Sequence, residues 1–239
     1  MNNNWNVTIG EIVADNYRTA SVFSKYGIDF CCKGDRTLEQ ACDKKSINIQ
    51  ELTDKLNEAV TVQDENINFK SWPLDLLADY IEKIHHSYIR EKSPSLLKFL
   101  NKVQKVHGFR HPELVEVYNL FSESVTMLEA HLLKEERILF PFIRQMNAAK
   151  NNNLPFETPH FGTVENPIEM MKHDHDIEGE RFKRISELTQ NYTPPMEACN
   201  TYRVSFAMLD EFEQNLHKHI HLENNILFPR AIKMESSMK

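Results

Sequence analysis

The 239-residue chain contains no long uninterrupted apolar run, which excludes a membrane-spanning helix. Its opening, Met1-Asn2-Asn3-Asn4-Trp5-Asn6, lacks the basic-then-apolar pattern of a secretion signal, so a cytoplasmic location is expected. Positive charge is not in excess. A net charge of -7, with acids and bases interspersed, leaves no basic field for a phosphate backbone, and nucleic-acid binding is not expected. Cysteine is scarce: only Cys31, Cys32, Cys42 and Cys199 occur, and two of them are adjacent. Adjacent cysteines make a poor disulfide scaffold, so free thiols in a reducing compartment are the expectation.

Histidine, by contrast, is abundant. Eleven are present, clustered at 85/86, 107/111, 131, 160, 173/175 and 217/219/221. Two lie in a repeated run: His131-Leu132-Leu133-Lys134-Glu135-Glu136-Arg137-Ile138-Leu139-Phe140-Pro141 and His219-Ile220-His221-Leu222-Glu223-Asn224-Asn225-Ile226-Leu227-Phe228-Pro229. Histidine and glutamate four apart share one helical face. That face continues the apolar lines Val117, Phe121, Leu128 and Leu209, Phe212, Leu216. As surface pairs, each His/Glu couple would contribute about 0.5 kcal/mol. On an apolar face, an ionised carboxylate costs several kcal/mol unless it is paired or bound to a metal, and a metal satisfies both groups at once.

Along the chain, Ile9, Ile12, Val13, Tyr17, Ala20 and Phe23 recur at helical period, with Thr8 and Glu11 placed as a capping box. Thr37 and Asn48 are N-cap candidates for two further short helices, giving a small helical unit over residues 1–59. Between its first two helices, Tyr26 to Asp35 is turn-rich, with Gly27 and Gly34 supplying permissive backbone. Residues 60–71 read as a polar linker, and such a small unit must lean on the remainder or on a second subunit, which leaves a homodimer open.

Residues 72–239 carry four long amphipathic patterns: from Trp72-Pro73 with a kink expected at Pro94, from Val117 to Arg144, from Pro167, and from near Pro195. An all-α, up-down four-helix bundle preceded by the small helical unit is the expected fold. The intervals His86 to His131, His131 to His175 and His175 to His219 are 45, 44 and 44 residues, each one helix plus one return. Four imidazoles and two carboxylates can therefore meet at one level. Six ligands exceed one tetrahedral zinc and suit two metals sharing bridging carboxylates. Nitrogen and carboxylate donors without thiolate favour iron or manganese, iron being the better match. Gly179, one turn beyond His175, points to a close approach at that face.

Periodicity leaves two candidates in the first helix. His85 continues the line of Leu74, Leu77 and Ile81, whereas His86 lies nearer that of Ile89, Leu97 and Leu100; a bulged turn would reconcile the halves. Elsewhere, His217 and His221 fall on a polar line with Asp210, Gln214 and Asn224 and are expected in solvent, as is Glu136, while Cys42 and Cys199 are expected inside their helices. Tyr88 reads as packing. Cys31 and Cys32 are either inert core thiols or, given the neighbouring Lys33 and Arg36, exposed reactive ones.

From residue 8 to about 232 the chain resembles the iron-sulfur cluster repair di-iron proteins, the repair-of-iron-centres group, whose C-terminal two thirds is hemerythrin-like. The resemblance is carried by Lys25 to Gly34, His86-Ser87-Tyr88, His131 to Pro141, Asp174 to Gly179, Thr193 to Cys199 and His219 to Arg230. It implies iron ligands at His86, His131, Glu135, His175, His219 and Glu223, with Glu135 and Glu223 bridging an oxo- or hydroxo-bridged pair of iron ions. Cys31 and Cys32 fall on the family's paired cysteines, with redox or iron-transfer roles; Lys33 departs from the glycine frequent there. The implied function is a stress response, the repair of oxidatively or nitrosatively damaged clusters by iron supply, with damaged iron-sulfur proteins as clients. Reduction of nitric oxide or peroxide at the same centre, and an oxygen or nitric oxide carrier or sensor, stand as alternatives.

Overall fold

The computed structural model describes residues 7–61, 67–152, 154–156 and 159–238. The opening hexapeptide and residues 62–66 of the expected linker lie outside them. Among the described residues the fold is all-α, with no sheet and only an isolated bridge between Thr8 and Thr37.

Four short helices come first: α1 Ile9–Asp15, α2 Thr19–Lys25, α3 Leu38–Lys45 and α4 Ile49–Val60. Thr8 accepts the Glu11 N–H while the Glu11 carboxylate accepts the Thr8 N–H at 2.9 Å, closing the expected capping box. Thr37 with Gln40 does the same for α3, and Asn48 caps α4. The periodic run from Ile9 to Phe23 is two helices rather than one, because Asn16 leaves the helical region at φ -149°. Its side chain accepts the Arg18 N–H and its carbonyl accepts the Thr19 hydroxyl, a local alternative to the helical ladder.

The bundle follows. Helix α5 (residues 74–107) joins Leu74–Tyr80 to Ser87–His107, α6 (113–151) joins Glu113–Lys134 to Phe140–Asn151, α7 is Glu165–Leu188, and α8 (200–236) joins Asn200–Leu222 to Phe228–Ser236. Each join is a π turn, at Ile81–His86, Glu135–Leu139 and Glu223–Leu227. Two of these have a cause in the repeated tail. Pro141 and Pro229 lack the N–H that an α-helix would return to residues 137 and 225. The preceding Phe140 and Phe228 N–H groups instead reach back five residues, to the carbonyls of Glu135 and Glu223. Pro94 lies inside Ser87–His107 without ending it, so the departure from α geometry in α5 falls upstream of the expected kink, at the two histidines.

Helix α5 packs against α6 and α8, and α6 against α7. Two apolar clusters form the core. One merges the N-terminal helices with one end of the bundle, bringing Ile9, Phe23, Leu52 and Leu56 together with Leu96, Phe121, Phe182 and Phe212. The other fills the opposite end with Leu77, Ile81, Phe140, Met171, Leu227 and Phe228. There Phe156 and Phe161, from the connection after α6, lie on Phe142. The polar layer sits where the clusters meet, between Ile81 and Ile89 on α5 and between Leu132 and Leu139 on α6.

Candidate metal centre

All three π turns carry candidate ligands. His86 closes the first, Glu135 opens the second and Glu223 opens the third. The bulged turn in α5 buries both His85 and His86, and the two part company in direction. His86 Nε2 lies 3.4 Å from Glu135 and 4.0 Å from Glu223, whereas His85 turns its Nδ1 to Asn215 Oδ1 at 3.0 Å. His86 therefore faces the acids and His85 does not.

Six buried side chains converge in two groups: His86, Glu135, His219 and Glu223, and His131, Glu135, His175 and Glu223. Both glutamates belong to both groups. Glu135 Oε2 lies 3.3 Å from His131 Nε2 and 4.0 Å from His219 Nε2, while Glu223 lies 3.1 Å from His175 Nε2 and 2.9 Å from His219 Nε2. Among the described residues, His86 Nε2, both oxygens of Glu135 and Glu223 Oε2 are buried without a hydrogen-bond partner. Unpaired polar atoms at this depth each cost about 1–3 kcal/mol or more.

Ring orientation shows what fits between them. His86 Nδ1 meets Glu136 at 2.9 Å, His131 Nδ1 meets Asp174 at 3.3 Å, and His175 Nδ1 meets Asn224 Oδ1 at 2.9 Å. Each of these acceptors draws the ring proton to Nδ1, so the Nε2 lone pair points inward, the arrangement of a metal-ligating histidine. His131 and His175 then oppose Nε2 to Nε2 at 3.2 Å, a contact that needs a proton or a metal ion between the two lone pairs. The donor set fits a non-haem di-iron centre.

The electrostatics agree. Burial would push His131 down, but the Glu135 charge, the Asp174 hydrogen bond and Glu223 raise it to about 10. Burial raises Glu135, yet His131 and His86 hold it well below the usual carboxylate range. Burial and the Glu135 charge push Glu223 up, and His219 and His175 outweigh them. Two fully buried carboxylates thus make a field that draws positive charge. Outside it, Lys134 at 2.8 Å from Asp174 and Arg90 at 2.7 Å from Glu136 hold the supporting acids in place.

Glu136 is not a solvent-facing charge: the widened turn directs it, like Glu135, at His86, with only 18% of its side chain exposed. His221 is buried, its ring between Tyr17 and Phe30 and its Nδ1 at 3.1 Å from Asn225 Nδ2, and His217 packs edge-on against Phe30. The N-terminal helices cover a face that would be polar surface in a bare bundle. Cys42 is buried as expected, but Cys199 is exposed, 3.3 Å from His107 Nε2. Tyr88 donates to Glu211 at 3.0 Å.

The paired cysteines dock on this same layer. Asn224 bridges His175 Nδ1 and the Cys31 carbonyl, donating to the latter at 3.2 Å, and Asn225 donates to the carbonyls of Phe30 and Cys31. Cys32 Sγ lies 3.5 Å from the His175 carbonyl. A Cβ on Gly179 would sit 3.4 Å from that sulfur, which is the close approach its place on α7 implied. Gly34 works by proximity: a Cβ there would meet Asn225 Oδ1 at 2.8 Å. Cys31 is buried and Cys32 partly so, and Lys33 turns away to Glu180 at 3.4 Å. Far from being activated, the Cys31 thiol is pushed up by its contact with Cys32, by burial and by the Asp29 charge.

A bundle with two buried His₂ groups sharing two carboxylates defines a hemerythrin-type metal protein. Residues 77–231 match the hemerythrin HHE cation binding domain, and residues 5–60 match ScdA_N, a domain of unknown function (DUF542). The chain is 34% identical over 233 residues to the iron-sulfur cluster repair protein YtfE of Musicola paradisiaca, covering 96% of this chain and 97% of that protein. It is 33% identical over 220 residues to the iron-sulfur cluster repair protein ScdA of Staphylococcus haemolyticus, covering 92% and 95%. With YtfE of Pectobacterium atrosepticum it shares 35% over 232 residues, covering 95% and 97%. The chain belongs to the YtfE/ScdA family of iron-sulfur cluster repair proteins.

Proposed function

We propose that this protein restores damaged iron-sulfur clusters by supplying iron held at the di-iron centre, with His86, His131, Glu135, His175, His219 and Glu223 as ligands and Glu135 and Glu223 shared. The observation that carries this reading is the docking of the Cys31-Cys32 loop on the ligand layer through Asn224. A resident oxygen carrier has no need of thiols against a ligand's own backbone. Bound iron supplies redox chemistry and transferable cargo. The chain's own part is to orient three of the four imidazoles, His86, His131 and His175, from outside, through Glu136, Asp174 and Asn224, and to exclude bulk water with two apolar clusters.

In this reading residues 1–59 form the client-facing unit, 60–71 the linker and 72–239 the iron-holding bundle. The clients are damaged iron-sulfur proteins in the cytoplasm, met by the monomer or by a homodimer. No helix among the described residues is long and apolar enough to cross a membrane. The test is transfer of radiolabelled iron from the loaded chain to an iron-sulfur protein whose cluster has been degraded by peroxide. The label should move with recovery of client activity, and should move slowly when both cysteines are replaced by alanine. Label that stays on the chain, or moves equally fast without the cysteines, contradicts the reading.

One observation favours a second reading, reduction of nitric oxide or peroxide. A small cavity of about 10 Å³, enough for one water-sized molecule, is lined by Met127, Leu128, Ile177 and Leu216 together with Asp174 and Glu178, and reaches His131, His175 and His219. Repeated release of nitrous oxide when nitric oxide is added anaerobically to the reduced protein would favour this reading. A single stoichiometric uptake favours the iron donor.

A further inference from the structure

Among the described residues outside the six-residue centre, one other cluster of metal-ligating side chains stands out: Asp29, Cys31 and Cys32, whose donor atoms all lie within 4.8 Å of one another. The sulfurs are 3.8 Å apart. A disulfide would bring them to about 2.05 Å. Two thiolates about 2.3 Å from one tetrahedral ion stand about 3.8 Å apart, which is the spacing found. The carboxylate is already oriented, because Asp29 Oδ1 accepts the N–H groups of Cys32 at 2.9 Å and Cys31 at 3.2 Å and lies 3.4 Å from Cys31 Sγ. The neighbouring basic side chains are engaged elsewhere. Lys33 pairs with Glu180, and Arg36 donates to the carbonyls of Lys33 and Asp29.

We propose that Asp29, Cys31 and Cys32 form a separate mononuclear site for a borderline-soft divalent cation, ferrous iron or zinc by chemistry, distinct from the di-iron centre. Binding breaks two S–H bonds, forms two metal–sulfur bonds and releases two protons to solvent, with no change of oxidation state. Three protein donors leave one position of a tetrahedral ion open for exchange. The site touches only one half of the di-iron centre: the Cys31 carbonyl and His175 Nδ1 share Asn224, and Cys32 reaches the His175 carbonyl. Its use in iron delivery rests on the function proposed above; its existence does not.

The test uses the full-length, di-iron-loaded chain and cobalt(II) as probe, added anaerobically. A thiolate-to-cobalt charge-transfer band should grow and saturate at one cobalt per chain, while iron content stays constant. Cys31→Ser/Cys32→Ser should abolish the band. Asp29→Asn, which keeps an oxygen for the two N–H groups, should retain the band and weaken cobalt affinity by about tenfold or more. Far-ultraviolet dichroism and iron content serve as folding controls for each variant. Absence of the band in the native chain, or its persistence in the double variant, overturns the site. A band without iron transfer to a client leaves the site standing and defeats the delivery function; transfer without a band does the reverse.

Discussion

The two copies of the repeated run differ at three positions before their shared glutamate and at both positions after it. After Glu135 come Glu136 and Arg137; after Glu223 come Asn224 and Asn225. Both glutamates open a π turn and both reach both halves of the centre, but the next residue is used differently. Glu136 closes its side with charge, binding His86 and Arg90 within the bundle. Asn224 binds His175 and turns its other end to the cysteine loop, and Asn225 ties that loop down. An amide donates and accepts at once, and a carboxylate only accepts. One half of the centre is thus sealed and the other is wired to the N-terminal helices.

Removing what the copies share should have the largest effect. Glu135→Ala or Glu223→Ala should take metal content from about two ions per chain to below about one, since each acid serves both groups, whereas His86→Ala or His175→Ala should release one. Gly10→Ala acts on the second copy alone. Its new methyl collides with Asn225 Oδ1, so docking of the N-terminal helices should weaken by roughly 1–3 kcal/mol, seen as faster proteolysis before residue 60 with bundle metal retained.

Asn224→Ala and Glu136→Ala form a matched pair. Each should lower metal affinity roughly 10–100-fold, through loss of the group that orients one imidazole. Only Asn224→Ala should also speed alkylation of Cys31 and Cys32. The smallest effect is a control remote from both turns. Burial on α8 raises Glu213 to about 7 from an ordinary 4.5. The raised pKa means the protonated form is the favoured one. The stability it represents is present in full below about pH 4.5 and lost as pH rises through about 7. Glu213→Gln should flatten that part of the thermal-stability profile and raise the melting temperature at pH 8, leaving the contrast between the two turns untouched.

How much of this was legible in the sequence follows from physical range. The bundle, its caps and five of the six inward residues, all but His86, rest on local period and on equal intervals, which one chain displays directly. The choice between His85 and His86 needed a turn that periodicity alone only hints at, although Phe-Pro after each glutamate marks the other two. Glu136, Asp174 and Asn224 were missed as supports because each lies beside a ligand, off the apolar line, and takes its role from a neighbouring helix. His221 was misplaced for the same reason: its burial depends on Tyr17 and Phe30, some two hundred residues away in the chain. The helix break at Asn16 was signalled only by an asparagine able to bond its own backbone.

In the proposed centre two ions share Glu135 and Glu223. Mössbauer spectroscopy of the iron-loaded chain tests it most directly, with iron analysis of the same sample. About two irons per chain are expected, with a diamagnetic, exchange-coupled ground state that disappears in Glu223→Ala. Two magnetically independent irons, or a coupled signal that survives that substitution, would contradict it.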